Sequence, residues 1–399
     1  MAPRKRLLKT LNHIKPDLIP LDLGATESSG ITVSAYNILK KELGIPGVSK
    51  VFDMSQMLAK VDFQVLKIIG GDLIPLLIEP KKWKKWTMPD GAEVEIPEKI
   101  ILRKNKNGSI EMLDKDGNVL KIYPKNGLYF DTVFHPLSGL EDLSEFNSSH
   151  AIFKNYDWPI YLDEDFNDLK EKAKKLYEET DYAIVGNLWV HLLAAGQELR
   201  GFEDFMMDLV ANKKMADHIF SKQLEAYLPR IDKYIESVGK YIDIIQVNDD
   251  LGTQSGLQFS PELYREIIKP YHKKLWQYIK ERSSKPILLH SCGSIYELIP
   301  DLIEMGVDAI NPIQVSARNM DTKKLKKEFG KYITFWGGGC DTQKVLSRGS
   351  TKDVREEVKR RINDLSQEGG FVFCQVHNIQ PDVPVKNILA MYDEFSKNR

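Results

Sequence analysis

Cysteine is scarce in this chain: three residues in 399, too few for a disulfide scaffold and a sign of a reducing compartment. Net charge is scarce as well. Fifty-six basic and 57 acidic side chains leave a formal −1, so the overall balance gives no support to a polyanionic partner. The lysine runs Lys81 to Lys85 and Lys323 to Lys327 are short, flanked by acids, and read as solvated faces. Long apolar runs are missing too. The longest, IIGGDLIPLLIEP, is broken by Asp72 and two glycines and is too short to span a bilayer. The N-terminal MAPRKRLLKTLNHIKPDLIP is basic but has neither the apolar core nor the small-residue cleavage site of a secretion signal. These absences lead us to expect a cytoplasmic protein with no nucleic-acid and no membrane partner. They leave open whether it is a monomer or a homodimer.

What is present is a repeated alternation of strand and helix. YIDIIQVNDD reads as a buried strand ending in acids, followed by Ser260 as a helix cap with Pro261 at the first position. Leu263, Ile267, Tyr271 and Leu275 then recur every four residues, with Pro270 kinking or dividing the helix. KPILLHS is the next strand. Ser294 with Glu297 reads as a capping box, Leu298, Ile299, Leu302 and Ile303 as a buried stripe, and Gly306 as the stop. VDAINPIQ and YITFWGGG follow as strands. Ser350 and Asp353 open a helix with Val354, Val358, Ile362 and Leu365 on one face, and FVFCQVHN returns as a strand. Upstream, IPLDLG and YAIVGN are strands of the same kind. Strands without polar alternation, each followed by an amphipathic helix, predict a parallel sheet covered on both sides. The number of units favours an α/β fold of the (β/α)8 TIM-barrel type, with residues 1–399 as one domain. Residues 81–130 depart from this pattern. Their Asn-Gly, Asp-Gly and Asn-Gly turns between short alternating runs predict an antiparallel β-hairpin insertion.

In such a barrel, side chains at the C-terminal strand ends converge on one mouth. Those ends carry Gly24, Thr26 and Glu27; Asn187; Asn248, Asp249 and Asp250; His290 and Cys292; Gln314; Cys340 and Asp341; and His377 and Asn378. Strand residues two apart point the same way, so His290 and Cys292 can reach one ion with Ser291 turned aside. Imidazole and thiolate suit zinc, and a catalytic site needs three protein ligands and an open position. His377, Cys374 and Cys340 each qualify as the third ligand. By alternation Cys374 falls on the opposite face from His377 and packs in the wall, whereas Cys340 follows a flexible triple glycine.

At these residues the chain resembles the uroporphyrinogen decarboxylase superfamily, and within it the branch of cobalamin-dependent methyltransferases. The resemblance runs through RKRLLKTLNHIKPDLIPLDLG, DDLGTQSGLQFSPELYREIIKPYHKKL, LHSCGSI, FWGGGCDTQ and GGFVFCQVHNIQPDVP. It implies a zinc ion held by the H-x-C pair and a later cysteine. In this chain His377 stands where that cysteine is expected, which implies a His290–Cys292–His377 site with Cys374 as the alternative. It further implies methyl transfer from a small methylated donor, such as an aromatic methyl ether, to the Co(I) corrinoid of a partner protein, or the reverse use with a thiol acceptor. Asp249, Asp250 or Glu27 would orient the donor or supply a proton, and Asn187, Asn248, Gln314 and Trp336 would contact it. The D-x-H-x-x-G signature of corrinoid-binding domains does not occur in the chain, so the corrinoid is expected on a separate protein. The stretch LDLGATESSGITVS after the first strand has no arginine or lysine, which argues against a porphyrinogen bearing many carboxylates.

Overall fold

The computed structural model describes residues 1–141 and 165–399. Seven strands, Leu73–Leu76, Ala183–Asn187, Ile244–Asn248, Ile287–His290, Ala309–Asn311, Thr334–Trp336 and Phe371–Val372, lie side by side in chain order and all run parallel. The sheet curls, and residues 20–22 join its two edges. The Phe373 N–H donates to Pro20 O at 2.8 Å and the Asp22 N–H to Phe373 O at 2.9 Å, while the Asp72 N–H donates to Leu21 O at 2.8 Å.

Alternation along these strands makes two apolar layers. Ile245, Leu289 and Ile310 point outward into the large core beneath the helices. Leu73, Ala183, Val185, Ile244, Leu288, Ala309, Trp336 and Val372 form a separate buried cluster inside the curl. Helix Pro3–Leu11 adds Leu7 and Leu11 to that inner cluster. It sits at the strands' N-terminal ends, where Arg4 N–H meets Asp181 O and Gly370 N–H meets Thr10 O.

Strand Leu73–Leu76 is absent from the sequence reading, because Asp72 and two glycines interrupt its apolar run. In the fold Asp72 is 2% exposed and immediately precedes the strand. Its carboxylate accepts from the guanidinium groups of Arg6 and Arg399 and from the Leu21 N–H. A buried acid with that many charged and backbone donors is compatible with a strand start.

Two local readings also change. The expected capping box at Ser294 and Glu297 does not form; the segment opens as a 3-10 turn, Tyr296–Leu298, without a side-chain cap. The Ser294 hydroxyl is already committed to Arg318 O at 2.6 Å. Ahead of Pro270 the helix is interrupted by a change of helical type, as the proline led us to expect, while its buried positions shift. Pro261–Leu263 passes into a π-helical turn, Tyr264–Ile268, and then into Lys269–Arg282. The wider turn accommodates a proline that lacks an N–H, and it rotates the buried face onto Tyr264 and Ile268 instead of Leu263 and Ile267. The Ser350–Asp353 capping box does form, and Val354, Val358, Ile362 and Leu365 are all buried.

Two small sheets are built from strands that flank the first parallel strand in the chain, Ser49–Asp53 and Leu58–Ala59 before it and the rest between it and the second. In one, Ser49–Asp53 pairs antiparallel with Leu58–Ala59 and parallel with Glu93–Pro97, which pairs antiparallel with Trp83–Thr87. In the other, Ile101–Lys104, Ile110–Leu113, Val119–Tyr123 and Asp131–Thr132 form an antiparallel ladder. The strands thus begin well before the turn-rich stretch. The second sheet meets the first at the turn after Asp53, where Lys121 Nζ donates to Ser55 Oγ at 2.9 Å. Tyr129, just before its last strand, donates from Oη to Asn378 Oδ1 at 3.1 Å in the loop after the last parallel strand. No helix among the described residues is long and apolar enough to cross a membrane.

Candidate metal centre

His290 ends its strand in register with Asn248 on one side and Asn311 on the other. Two residues on, the Cys292 N–H donates to Asp250 Oδ1 at 2.8 Å, and Ser291 turns away to accept from the Leu251 N–H at 3.0 Å. Gly293 makes this turn possible: its φ is +85°, and a Cβ there would lie 2.4 Å from the Gly252 backbone carbon. His377 comes from the loop after the last strand and has a φ of +61°, an unfavourable conformation for a non-glycine residue and one that surrounding contacts must hold.

The ligand atoms of His290, Cys292 and His377 all lie within 4.8 Å of one another. Cys292 Sγ is 3.5 Å from His290 Nε2, and the two imidazole rings are 5.9 Å apart at 61°. Each ring is oriented by an amide whose own direction is fixed. Asn311 Nδ2 donates to Trp336 O at 3.1 Å, so its Oδ1 faces His290 Nδ1 at 2.8 Å and takes the ring proton. Asn378 Nδ2 donates to Gln56 Oε1 at 2.8 Å, so its Oδ1 faces His377 Nδ1 at 2.9 Å in the same way. Both imidazoles therefore present a bare Nε2 lone pair toward the cysteine, the arrangement that metal-ligating histidines adopt.

Burial, and then the electrostatic influence of the neighbouring His290, push His377 down to about 4, against a smaller pull from Asn378. It is a neutral ligand across the physiological range. Burial, with the Asp250 charge second, holds the Cys292 thiol well above its ordinary value. A cation would reverse that by stabilising the thiolate. Two imidazoles and a thiolate, with each imidazole anchored on its far nitrogen, form a donor set that fits zinc. Asp250 Oδ1, 3.5 Å from His290 Nε2, flanks the remaining side.

A chamber of about 220 Å³ adjoins the cluster, lined by Glu27, Gln56, Asn248, Asp249, Asp250, His290 and His377 among others. It shares Glu27, Gln56, Asn248 and His377 with a larger chamber of about 440 Å³, whose walls include Asp53, Lys121, Tyr129, Phe130, Trp189, His191 and Glu198.

The strand-end residues fare unequally. Glu27 and Asn248 line both chambers and are tied together through Gln246, whose Nε2 lies 2.8 Å from each. Asn187 is buried beneath them, with Nδ2 donating to Gln246 Oε1 at 2.6 Å. Asp249 is 2% exposed and saturated. It accepts from the N–H groups of Leu192, Leu193 and Ala194 at 2.8 Å and from His272 Nε2 at 2.8 Å. Burial acts to raise its pKa, yet these donors outweigh burial and leave it below the ordinary carboxylate value.

Gln314 accepts from the Gly293 N–H at 2.8 Å and so braces the loop after Cys292; it lines neither chamber. Trp336 also lines neither. It is fully buried inside the curl, with its indole N–H on Asp22 Oδ2 at 2.7 Å. Cys374 belongs to the same inner layer rather than the wall, with Sγ 3.9 Å from Asn311 Nδ2, and is not in the ligand cluster. Alternation misjudges it because the strand ends at Val372, so loop geometry rather than pleat delivers His377. Cys340 is fully buried in the outer core.

Sequence reasoning missed Asp53, Gln56, Lys121, Tyr129, His191 and Glu198, which do not stand at parallel-strand ends. It also missed Asn311, which the two-residue alternation of its own strand did place inward.

The family model described as uroporphyrinogen decarboxylase (URO-D) matches residues 164–397, more than half of the chain. A uroporphyrinogen decarboxylase from Prochlorococcus marinus (strain MIT 9312) is 22% identical over 289 residues, covering 69% of this chain and 74% of that protein. Another from Chlorobaculum tepidum is 23% identical over 184 residues, covering 46% and 49%. Among solved structures, a methyltransferase from Methanosarcina mazei superposes with a TM-score of 0.63 at 16% identity, covering 100% of this chain and 99% of that one. At that identity the likeness is one of fold.

Proposed function

The chain belongs to the uroporphyrinogen decarboxylase family, and from that premise we propose that it is a zinc-dependent methyltransferase. It would move a methyl group from a small methylated donor to the Co(I) corrinoid of a partner protein. The observation that carries the reading is the His290–Cys292–His377 cluster, with its two oriented imidazoles and a chamber opening directly on it. Zinc held there would act as a Lewis acid toward the donor heteroatom from which the methyl group leaves.

The chain's own residues then have separable roles. Asp250, whose side chain is 48% exposed, is placed to orient the donor and deliver a proton to the departing group. Glu27, held by Trp189 Nε1 and Gln246 Nε2, faces the donor from the opposite wall. Asp249 is a positioning residue: through Leu192, Leu193, Ala194 and His272 it fixes the segment that carries Asn248 and Asp250. Asn248 contacts the donor, and Asn187 holds Gln246 in place. We assign residues 1–399 to one domain, place it in the cytoplasm, where its three free cysteines stay reduced, and put the corrinoid on a separate protein.

Metal analysis of the purified chain tests the first half, with about one zinc per chain expected from a three-ligand site. The second half is tested by mixing methylated donors with a reduced corrinoid protein and following conversion of Co(I) to methyl-Co(III) by absorbance. A metal-free chain at full activity would sink the proposal. The two decarboxylase relatives favour a second reading, decarboxylation of a small acid without metal. Carbon dioxide release that persists without zinc would select it. The lining of the large chamber counts against a polycarboxylate substrate, since it offers Glu27, Asp53 and Glu198 but a single lysine, Lys121.

A further inference from the structure

The larger chamber has a charge pattern that the reaction itself does not call for. Of its three carboxylates, Glu198 lies 3.9 Å from Lys121 Nζ, so those two offset one another. Glu27 and Asp53 are held differently. Glu27 accepts from the Trp189 indole and the Gln246 amide. Asp53 accepts from the N–H groups of Ser55 and Gln56, at 2.7 Å and 3.1 Å, and from the Gln56 amide at 3.2 Å. These hydrogen-bond donors are neutral, and among the described residues neither acid has a salt bridge. The charge of Lys121 acts on Asp53 without pairing with it, so one lysine faces three carboxylates and negative charge remains in excess. Burial first, and the negative charge of Glu27 after it, raise Asp53 above the ordinary carboxylate range. Trp189, Tyr129 and Phe130 line the same chamber.

Carboxylates combined with aromatic rings are the surroundings in which an organic cation is favoured, by Coulomb attraction and by the rings' negative faces. An anionic group would add a further negative charge to the space. A neutral group would gain from the rings and nothing from the acids.

We propose that this chamber binds an ammonium group on the non-reacting end of the substrate. On the methyl-transfer reading, on which this assignment of the donor rests, the substrate is an ammonium-bearing methyl ether or thioether. Its methylated end lies in the smaller chamber beside His290 and His377. The chambers share Glu27, Gln56, Asn248 and His377, so one molecule spans both.

The test is calorimetric titration of the full-length, metal-loaded chain with three probes of one shape: benzylammonium, benzyl alcohol and benzoate. Benzylammonium is expected to bind about tenfold tighter than benzyl alcohol at low salt, with benzoate weakest. Asp53→Asn and, separately, Glu27→Gln are each expected to bring the cation and the alcohol toward parity. Each variant keeps one acceptor oxygen and turns an amide NH2 toward one existing donor, the Gln56 amide in Asp53→Asn and the Trp189 indole or Gln246 amide in Glu27→Gln, so thermal melts identify a variant that does not fold, leaving the other to decide. Equal or tighter binding of benzyl alcohol or benzoate, or a cation preference untouched in both folded variants, overturns the proposal. The titration needs neither corrinoid nor methyl donor. Cation binding without methyl transfer from any donor would leave this subsite standing and sink the methyltransferase. Turnover of neutral donors without cation binding would do the reverse.

Discussion

Asp249 and Asp250 are adjacent in sequence yet belong to polar clusters of different kinds. Around Asp249 every group finds a partner. Its oxygens take three backbone N–H groups and His272 Nε2, His272 Nδ1 pairs with Tyr264 Oη at 3.0 Å, and Trp276 stacks on the imidazole at 4.7 Å. Around Asp250, His290 and His377 are just as carefully oriented on their Nδ1 side, but both Nε2 atoms and the Cys292 sulfur are left facing one another. A saturated network holds elements together, whereas one that aims several donors at a common point is arranged for something else to occupy it. Both clusters contain histidine and acid, so residue type alone does not separate them.

Substitutions can break this contrast. Cys292→Ser or His290→Ala is expected to abolish zinc binding and lower methyl transfer by more than about a hundredfold, because a ligand is lost outright. Metal content and turnover are measured together, and stoichiometric zinc in either variant would end the assignment. Asp249→Ala is expected to act on the fold instead, costing about 3 kcal/mol as His272 and three N–H groups lose their acceptor. Urea titration reads the loss, and an unchanged midpoint with zinc gone would place Asp249 in the metal centre after all.

Two further changes sharpen the comparison. Asn378→Ala removes the acceptor behind His377 and is expected to weaken zinc affinity by about 10- to 100-fold, with recovery in Asn378→Asp. A chelator competition measures this, and identical affinities would mean that the amide does not orient the ring. The smallest effect is expected at Asp22, a buried acid inside the curl. Burial raises it to about 6 from an ordinary 3.8, against donors that include the Ala25 N–H and the Trp336 indole. Between those values the native chain holds a proton that the unfolded chain has released. Its stabilising contribution is therefore present at acid pH and lost as pH rises through about 6. In Asp22→Asn, thermal stability between pH 4 and pH 6 should fall less steeply with rising pH than in the parent, and superimposable profiles would rule this out.

Much of the frame was readable from local sequence because the governing interactions are local. Ser260 and Ser350 cap helices within three residues of themselves, and Val354, Val358, Ile362 and Leu365 share a face by helical period. Strand alternation put His290 and Cys292 on one side, and they do meet, although the strand ends at His290 and the turn before Gly293 carries Cys292 there. Where the deciding partner lay far along the chain, the reading failed. Asp72 broke an apolar run on paper, and the run became a strand because Arg6 and Arg399 neutralise that acid in the fold. The Ser294 hydroxyl had a helix start to cap, but Arg318 O reached it first.

The sequence by itself determined the alternating units, the parallel sheet they imply, and two of the three candidate ligands, since each follows from period, cap or parity over a few residues. Only the tertiary structure brought His377, which the resemblance already implied as the third ligand, within 4.8 Å of the other two, and decided that Asp249 braces while Asp250 faces the chamber and that Asp53 and Tyr129 line the adjoining one. Those outcomes depend on which side chains meet across long stretches of chain, and on which atoms are left over once the backbone and buried polar groups have found their partners.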